Sequence, residues 1–220
     1  IKNGVILKTH CRVCKIIVNK ADKATGVIYY DESGAECQQN ARVVIVACNG
    51  VGTPRLLLNS SCASFRDGLS NRSGLVGKNL MLHPLGYVEG LFEDNINSQM
   101  GPQGCCIQSQ EFYESDAKRD FLRGYTMQIL RGPGPVETAT SGFAKREIPW
   151  GVEHHSAFAK RFGHAIGIGI IIEDLPEIHN SVTLDPNMVD SNGIPAPKIT
   201  KNSVITVKRC LFMDLKEAKN

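Results

Sequence analysis

Ala41-Arg42-Val43-Val44-Ile45-Val46-Ala47-Cys48-Asn49-Gly50-Val51-Gly52-Thr53-Pro54-Arg55-Leu56-Leu57-Leu58 decides how this chain is read. Ala41 to Ala47 form a continuous β-branched run, the pattern of a strand buried on both faces of a parallel sheet. Cys48 to Gly52 stop the run. Thr53 is a helix-capping residue type and Pro54 suits a first helical position, with Arg55 to Leu58 supplying the helix body. A strand, a glycine-rich turn and a capped helix in that order form the α/β unit that presents backbone donors to a nucleotide.

Upstream, Val5 to Lys8, Arg12 to Val18 and Val27 to Tyr30 are short β-rich runs, and Asp31-Glu32-Ser33-Gly34 is a turn cluster. Together they predict a β-meander. Downstream, the Ser-, Asn-, Arg- and Gly-rich stretch from Ser60 to Gly77 reads as a long surface loop, and a domain boundary is expected near residue 85. Leu85 to Phe92 and Phe121 to Leu130 read as strands separated by irregular chain, and Arg131 to Pro135 as a loop. The middle of Trp150 to His164 reads as an amphipathic helix. From Ala165 to Glu173, Ile166, Ile168, Ile170 and Ile172 alternate with Gly167, Gly169 and Ile171, which predicts a strand with one apolar face. Glycines on its other face mark a close approach of backbone, a bulge or a ligand. Ser181 to Leu184 reads as a strand, Asp185 to Gly193 as a polar turn and Val204 to Ala218 as a final helix.

Charge narrows the function classes. The 25 basic and 22 acidic residues are spread without long runs of one sign, giving a net charge of +3 and no electrostatic footprint for nucleic acid or an anionic membrane. No stretch reaches the roughly 18 apolar residues of a bilayer span. The first residue is not Met and Ile1 to Lys8 lack signal-peptide character, so localisation is unreadable here. Eight cysteines lie at irregular spacings. Cys11-x-x-Cys14 has no second pair to complete a zinc site, and it reads as structural thiols, as do Cys105 and Cys106.

The stretch from Ala41 through Gly50, followed by Thr53-Pro54-Arg55-Leu56-Leu57-Leu58-Asn59-Ser60, resembles the second signature region of the glucose-methanol-choline (GMC) oxidoreductase family, whose members oxidise alcohols with bound FAD. Cys48-Asn49-Gly50 stands where the family usually ends the strand with Ala-Gly, and Ser60-Ser61 replaces Ser-Gly. Gly74-Leu75-Val76-Gly77-Lys78-Asn79-Leu80-Met81-Leu82-His83-Pro84 is similar to the family's Val-Gly-x-Asn-Leu-x-Asp-His-Pro stretch, with Leu82 in place of Asp. Arg12 to Ile16 with Thr25-Gly26-Val27 resembles the hairpin before the signature. Glu173 to Pro176, Val182 to Asp185 and Gly193 to Ile199 resemble the substrate domain of sugar-acid and polyol dehydrogenases, gluconate dehydrogenase flavoprotein subunits among them.

The resemblance implies a mixed α+β and α/β chain. Residues 1–84 would form part of an FAD-binding Rossmann-like domain, and residues 85–220 an antiparallel-sheet substrate domain with helices on one face, incomplete at its end. It implies FAD as cofactor, with Val13, Ala47, Asn49, Gly50, Asn79 and His83 as cofactor-contacting residues. An alcohol, polyol or sugar acid is the implied substrate, with a cytochrome or quinone as electron acceptor. The family's G-x-G-x-x-G turn and catalytic-histidine segment have no counterpart in these 220 residues. The chain therefore reads as an interior piece with no catalytic residue or metal ligand of its own, inactive alone. The competing reading is a non-catalytic β-rich module that binds a carbohydrate or a protein.

Other candidates have plainer readings. His154 and His155 are neighbours, about 100° apart on a helix, and do not chelate together. Glu173 and Asp174 point to opposite sides of a strand end. Asp185, Asn187, Asp190 and Asn192 lack the spacing and closing Glu of an EF-hand and read as a polar turn.

Overall fold

Arg12–Val18 and Ala24–Tyr30 form strands β1 and β2, and Glu36–Asn40 follows as β3, giving an antiparallel meander in the order β1-β2-β3. The computed structural model describes residues 2–102, 104–144 and 148–202. The polar β3, absent from the sequence expectation, is set by its turn. One Asp31 carboxylate oxygen accepts from the amides of Ser33 and Ala35 at 2.9 and 3.0 Å, which fixes the chain reversal. Backbone pairing then carries the strand. Gly26 serves the same sheet: a Cβ there would lie 2.3 Å from the Gln39 carbonyl oxygen.

Val5 to Lys8 form no strand, and Val5, Ile6 and Leu7 are exposed. The outer edge of β1 is already taken, by the end of helix α1 (Asn49–Asn59). Asn59 Nδ2 donates to the Cys14 carbonyl at 2.8 Å, and Ser60 Oγ accepts from the Ile16 amide at 2.9 Å while donating to the Leu56 carbonyl at 2.6 Å. Ser60 is fully buried. These bonds satisfy the unpaired groups of an edge strand and fasten α1 to the meander.

Two expectations for the deciding stretch are corrected. The helix starts at Asn49 rather than Pro54, which lies inside it, and Thr53 does not cap it; its hydroxyl instead accepts from the Cys48 amide at 3.2 Å. Residues 41–47 make no ladder pairing among the described residues and are covered on one side only. Val44 and Val46 pack on the core of Ile16, Leu56 and Leu69, whereas Val43 and Ile45 are 75% and 86% exposed. A double-sided strand needs neighbours on both edges, and no described strand supplies them.

The chain divides into two units. The first holds the residues up to Met81 together with Pro176–Asn202, the second Leu82–Leu175. The sequence reading assigned everything beyond 84 to one second domain; the segment from Pro176 instead returns to the first unit. There Ser181–Val189 and Pro195–Thr200 pair as hairpin β8-β9. The hairpin is longer than the expected strand Ser181 to Leu184, and its second strand tolerates Pro195 and Pro197 because it lies at an edge. The long loop 60–77 is anchored to it: Val182 donates to the Gly77 carbonyl at 2.7 Å and Leu80 to the Asn180 carbonyl at 3.0 Å.

In the second unit Leu85–Leu91 (β4), Cys105–Ser109 (β5), Tyr125–Leu130 (β6) and Ala165–Ile172 (β7) form a four-stranded antiparallel sheet ordered β4-β7-β6-β5. Ile170 and Ile172 of β7 pack with Phe121 and Tyr125 on one face, as the isoleucine alternation predicts, with Met127, Val88 and Ile168 around them. Strand β5 and helix α2 (Pro135–Ala144) were not legible in the sequence, and α3 (His154–Ala159) is much shorter than the helix expected there. The expected helix Val204 to Ala218 lies outside the described residues. The described residues are sheet-rich with few helices.

Candidate functional site

The first four amides of a helix lack intrahelical acceptors, and the helix dipole places partial positive charge beside them. In α1 that turn is Asn49-Gly50-Val51-Gly52, with no acidic residue in it and no side-chain cap. Asn49 takes a left-handed φ of 64°, and its Oδ1 lies 2.5 Å from the Gly50 amide. A Cβ on Gly52 would stand 3.0 Å from Cys48 Cβ, so local packing accounts for that glycine. Gly50 is different. A Cβ there would meet nothing within 4 Å, and its φ is not left-handed. Glycine in a helix costs about 0.5–1 kcal/mol relative to alanine, and nothing among the described residues requires it at this position. The turn therefore fits a group that approaches the backbone from outside the chain.

Beside Gly50 lies a cleft of about 380 Å³, bordered by Pro54, Leu57, Gly77, Asn79 and Val182. Its far wall is held rigidly. Gly77 has a φ of 79°, and a Cβ on it would sit 2.1 Å from the Val182 oxygen, so no other residue fits. A second cleft of about 290 Å³ lies against β1 and is lined by Val13, Cys48, Gly52 and Asn59.

The structure thus brings Gly50 and Asn79 to one cleft and Val13 to its neighbour, both flanking the first turn of α1. Asn49 opens that turn. Ala47 is exposed just before it and lines neither cleft. His83 belongs to the second unit, where its Nδ1 lies 3.3 Å from the Ile172 carbonyl.

Sequence reasoning missed Arg55, which reads as one more helix residue. Its Nε donates to the Pro195 carbonyl at 2.7 Å, and one Nη2 reaches the Ile194 carbonyl at 3.0 Å and the Asp190 carboxylate at 2.9 Å. Burial alone raises the Asp190 carboxyl pKa. The Arg55 hydrogen bond, the amides of Asn192 and Ile194 and the guanidinium charge outweigh that and hold it below the ordinary value. The polar turn expected at 185–193 is shorter than read, because Asp185 to Val189 continue β8; Asp190 opens it, its Oδ1 accepting from the amides of Asn192 and Ile194.

In the second unit, the face of the sheet away from the isoleucine core carries Gly167 and Gly169 of β7. Across Gly169 in register stand Tyr87 on β4 and Gln128 on β6. Tyr87 leans over Gly167, where a Cβ would lie 2.4 Å from its hydroxyl and 2.8 Å from its ring. Burial pushes the Tyr87 phenol up, and the carboxylates of Glu89 and Glu137 push it further. Glu89 is paired with Arg161, both side chains being about four-fifths buried. Of the other candidates, His154 Nδ1 lies 3.1 Å from the Pro149 carbonyl, Glu173 pairs with Arg123 at 3.8 Å, and the buried Asp174 accepts from the amides of Leu82 and Leu175, each at 3.0 Å.

Residues 1–85 match the GMC oxidoreductase family. They belong to it. That amino-terminal domain is the FAD-binding region of the family. Over 198 residues, 89% of its length, the chain is 40% identical to 2-methyl-1,2-propanediol dehydrogenase of Mycolicibacterium austroafricanum, covering 36% of that protein. Over 187 residues, 81% of the chain and 32% of the relative, it is 24% identical to the fructose dehydrogenase large subunit of Gluconobacter japonicus. Over 88 residues, 40% of the chain and 16% of the relative, it is 33% identical to paromamine 6'-oxidase of Streptomyces fradiae. The chain spans about a third of the length of the first two relatives. No helix among the described residues is long and apolar enough to cross a membrane.

Proposed function

We propose that the protein is an FAD-dependent oxidoreductase acting on the CH–OH group of an alcohol, polyol or sugar. In this reading the segment up to Met81 contributes to a Rossmann-like flavin domain, and the four-stranded sheet of the second unit contributes to the substrate domain. The observation that carries it is the similarity to a diol dehydrogenase over 198 residues, which runs through both units rather than through the family segment alone.

When bound, FAD supplies the acceptor for hydride from the alcohol carbon. The residues of this chain hold and orient. The open turn at Gly50 lets backbone amides come close to the cofactor, the α1 dipole favours its anionic part, and Val13 and Asn79 border the clefts on either side. Asn49, Ala47 and His83 are proposed contacts on the strength of their place in the family motif. An electron acceptor such as a cytochrome or quinone belongs to the same proposal.

The test is the full-length protein purified with its flavin. Reduction of an artificial electron-accepting dye should depend on a diol or ketohexose. A purified protein with bound FAD that turns over no hydroxyl compound overturns the reading; a protein with no flavin overturns the cofactor assignment.

A further inference from the structure

Cysteine is among the most buried residue types, so adjacent exposed thiols call for a reason other than packing. Cys105 and Cys106 open strand β5; both are exposed, and neither joins the apolar core of the second unit. The sequence alone reads them as structural thiols, yet among the described strands β5 pairs only with β6 and stands at the sheet edge. The Cys105 thiol turns to the Ile107 carbonyl at 3.2 Å, and the Cys106 thiol lies 3.8 and 3.9 Å from the Gly104 and Pro102 carbonyls, all in the same short segment. Cys14 makes the contrast: it is buried, its thiol donates to the Ile28 carbonyl at 3.4 Å, and burial pushes that thiol's pKa up.

The pairing of β5 with β6 is irregular at the two exposed thiols. Cys105 stands opposite Leu130, and Ile107 stands opposite Ile129, the next residue along β6, so Cys106 is the extra residue of a β-bulge and has no partner in register. In a regular strand consecutive side chains point to opposite faces, which would hold neighbouring thiols apart. The bulge breaks that alternation, and Gly104, with a φ of 95°, precedes it. Backbone rotation at Cys106 therefore displaces no residue set opposite it.

We propose that Cys105 and Cys106 form a redox-active dithiol that a hydroperoxide closes to a ring disulfide. One sulfur attacks a peroxide oxygen, the O–O bond breaks, and the thiol becomes a sulfenic acid while an alcohol or water leaves with the thiol proton. The neighbouring sulfur then forms the S–S bond, the S–O bond breaks, and water leaves. The two thiols together give up two hydrogens and two electrons, and the peroxide is reduced. Consecutive Cα atoms are about 3.8 Å apart, closer than the roughly 4.4–6.8 Å usual across a disulfide, so the ring is strained and a dithiol reopens it.

The experiment uses the full-length protein with its flavin, tert-butyl hydroperoxide as oxidant, and the mass of the proteolytic peptide spanning the pair as readout. In wild type that peptide should lose two hydrogens, and dithiothreitol should restore them. Cys105→Ser and Cys106→Ser should each go on to sulfinic or sulfonic acid, because their sulfenic acid has no neighbour to close on. Phenylarsine oxide, which bridges two thiols with release of water, should hold to the wild-type pair on the order of a hundredfold more tightly than to either variant, since its second bond forms within one molecule. A wild-type peptide that keeps both thiols, oxidises each sulfur separately, or joins another cysteine overturns the proposal, as does an arsenical held no more tightly than by the variants. Should a variant melt early, the wild-type masses decide alone. None of these masses depends on turnover, so failure here leaves the alcohol-oxidising reading untouched.

Discussion

Arg55 shows how one side chain can join segments far apart in sequence. Its guanidinium satisfies two carbonyls and one carboxylate of the β8–β9 turn, 135 to 140 residues away, at a side-chain exposure of 15%. Arg55→Ala leaves those acceptors with poorer partners and is expected to destabilise the protein by about 2–4 kcal/mol, read as a fall in the unfolding midpoint. Asp190 adds a pH signature. Its folded-state pKa lies below its ordinary value of 3.8, so its stabilising effect is present above that value and is lost as pH falls through the lower folded value. Urea midpoints of wild type and Asp190→Asn should differ at pH 6, and the difference should begin to shrink as the pH falls below about 3.8. A difference that stays constant down to pH 2.5 contradicts this. Nothing in the string Thr-Pro-Arg-Leu announces such a role, because the partner is a turn whose position depends on the tertiary fold.

At the level of elements, the first turn of α1 separates stability from ligand binding. Gly50→Ala removes backbone freedom from the unfolded chain and adds a Cβ with nothing within 4 Å among the described residues, so the flavin-free protein should gain about 0.5–1 kcal/mol. Gly50→Val places more bulk where the cofactor is proposed to approach and should lower flavin absorbance per protein after purification. Unchanged flavin occupancy in Gly50→Val sinks the assignment of this turn. The sequence was informative wherever apolar residues repeat with a clear period: β1, β2, β4, β6 and the isoleucines of β7 lie close to where they were read. It was silent on β3 and β5, Glu-Cys-Gln-Gln-Asn and Cys-Cys-Ile-Gln-Ser, which are held by turn geometry and ladder bonds rather than by a buried face. Strand β9 was not read from the sequence either, and its prolines are tolerated because it lies at an edge. Of the candidate site, Gly50, Asn79 and Val13 were singled out by a motif, and they line the two clefts beside α1. In the second unit, Tyr87, Glu89 and Gln128 were not singled out, because only strand register brings them to one face.

At the scale of the whole molecule, the deciding run Ala41 to Ala47 poses the clearest test. Its composition is that of a strand covered on both faces, but Val43 and Ile45 stand 75% and 86% exposed and its edges carry no ladder among the described residues. Open edges and apolar surface of this kind favour association with other chains. The 220-residue chain expressed alone should therefore self-associate at micromolar concentration, and Val43→Thr with Ile45→Thr should reduce that association, as seen by light scattering. The same piece should bind FAD weakly. It contains no G-x-G-x-x-G turn, and each charge-assisted hydrogen bond such a turn makes to a pyrophosphate contributes roughly 1.5–3 kcal/mol. At about 1.4 kcal/mol per tenfold, two missing bonds weaken binding on the order of a hundredfold or more. No alcohol-dependent dye reduction is then expected from the piece even with FAD added. Clear turnover by it would mean that a base for the alcohol proton lies within these residues, and the search for it would begin at the sheet face of Tyr87 and Gln128.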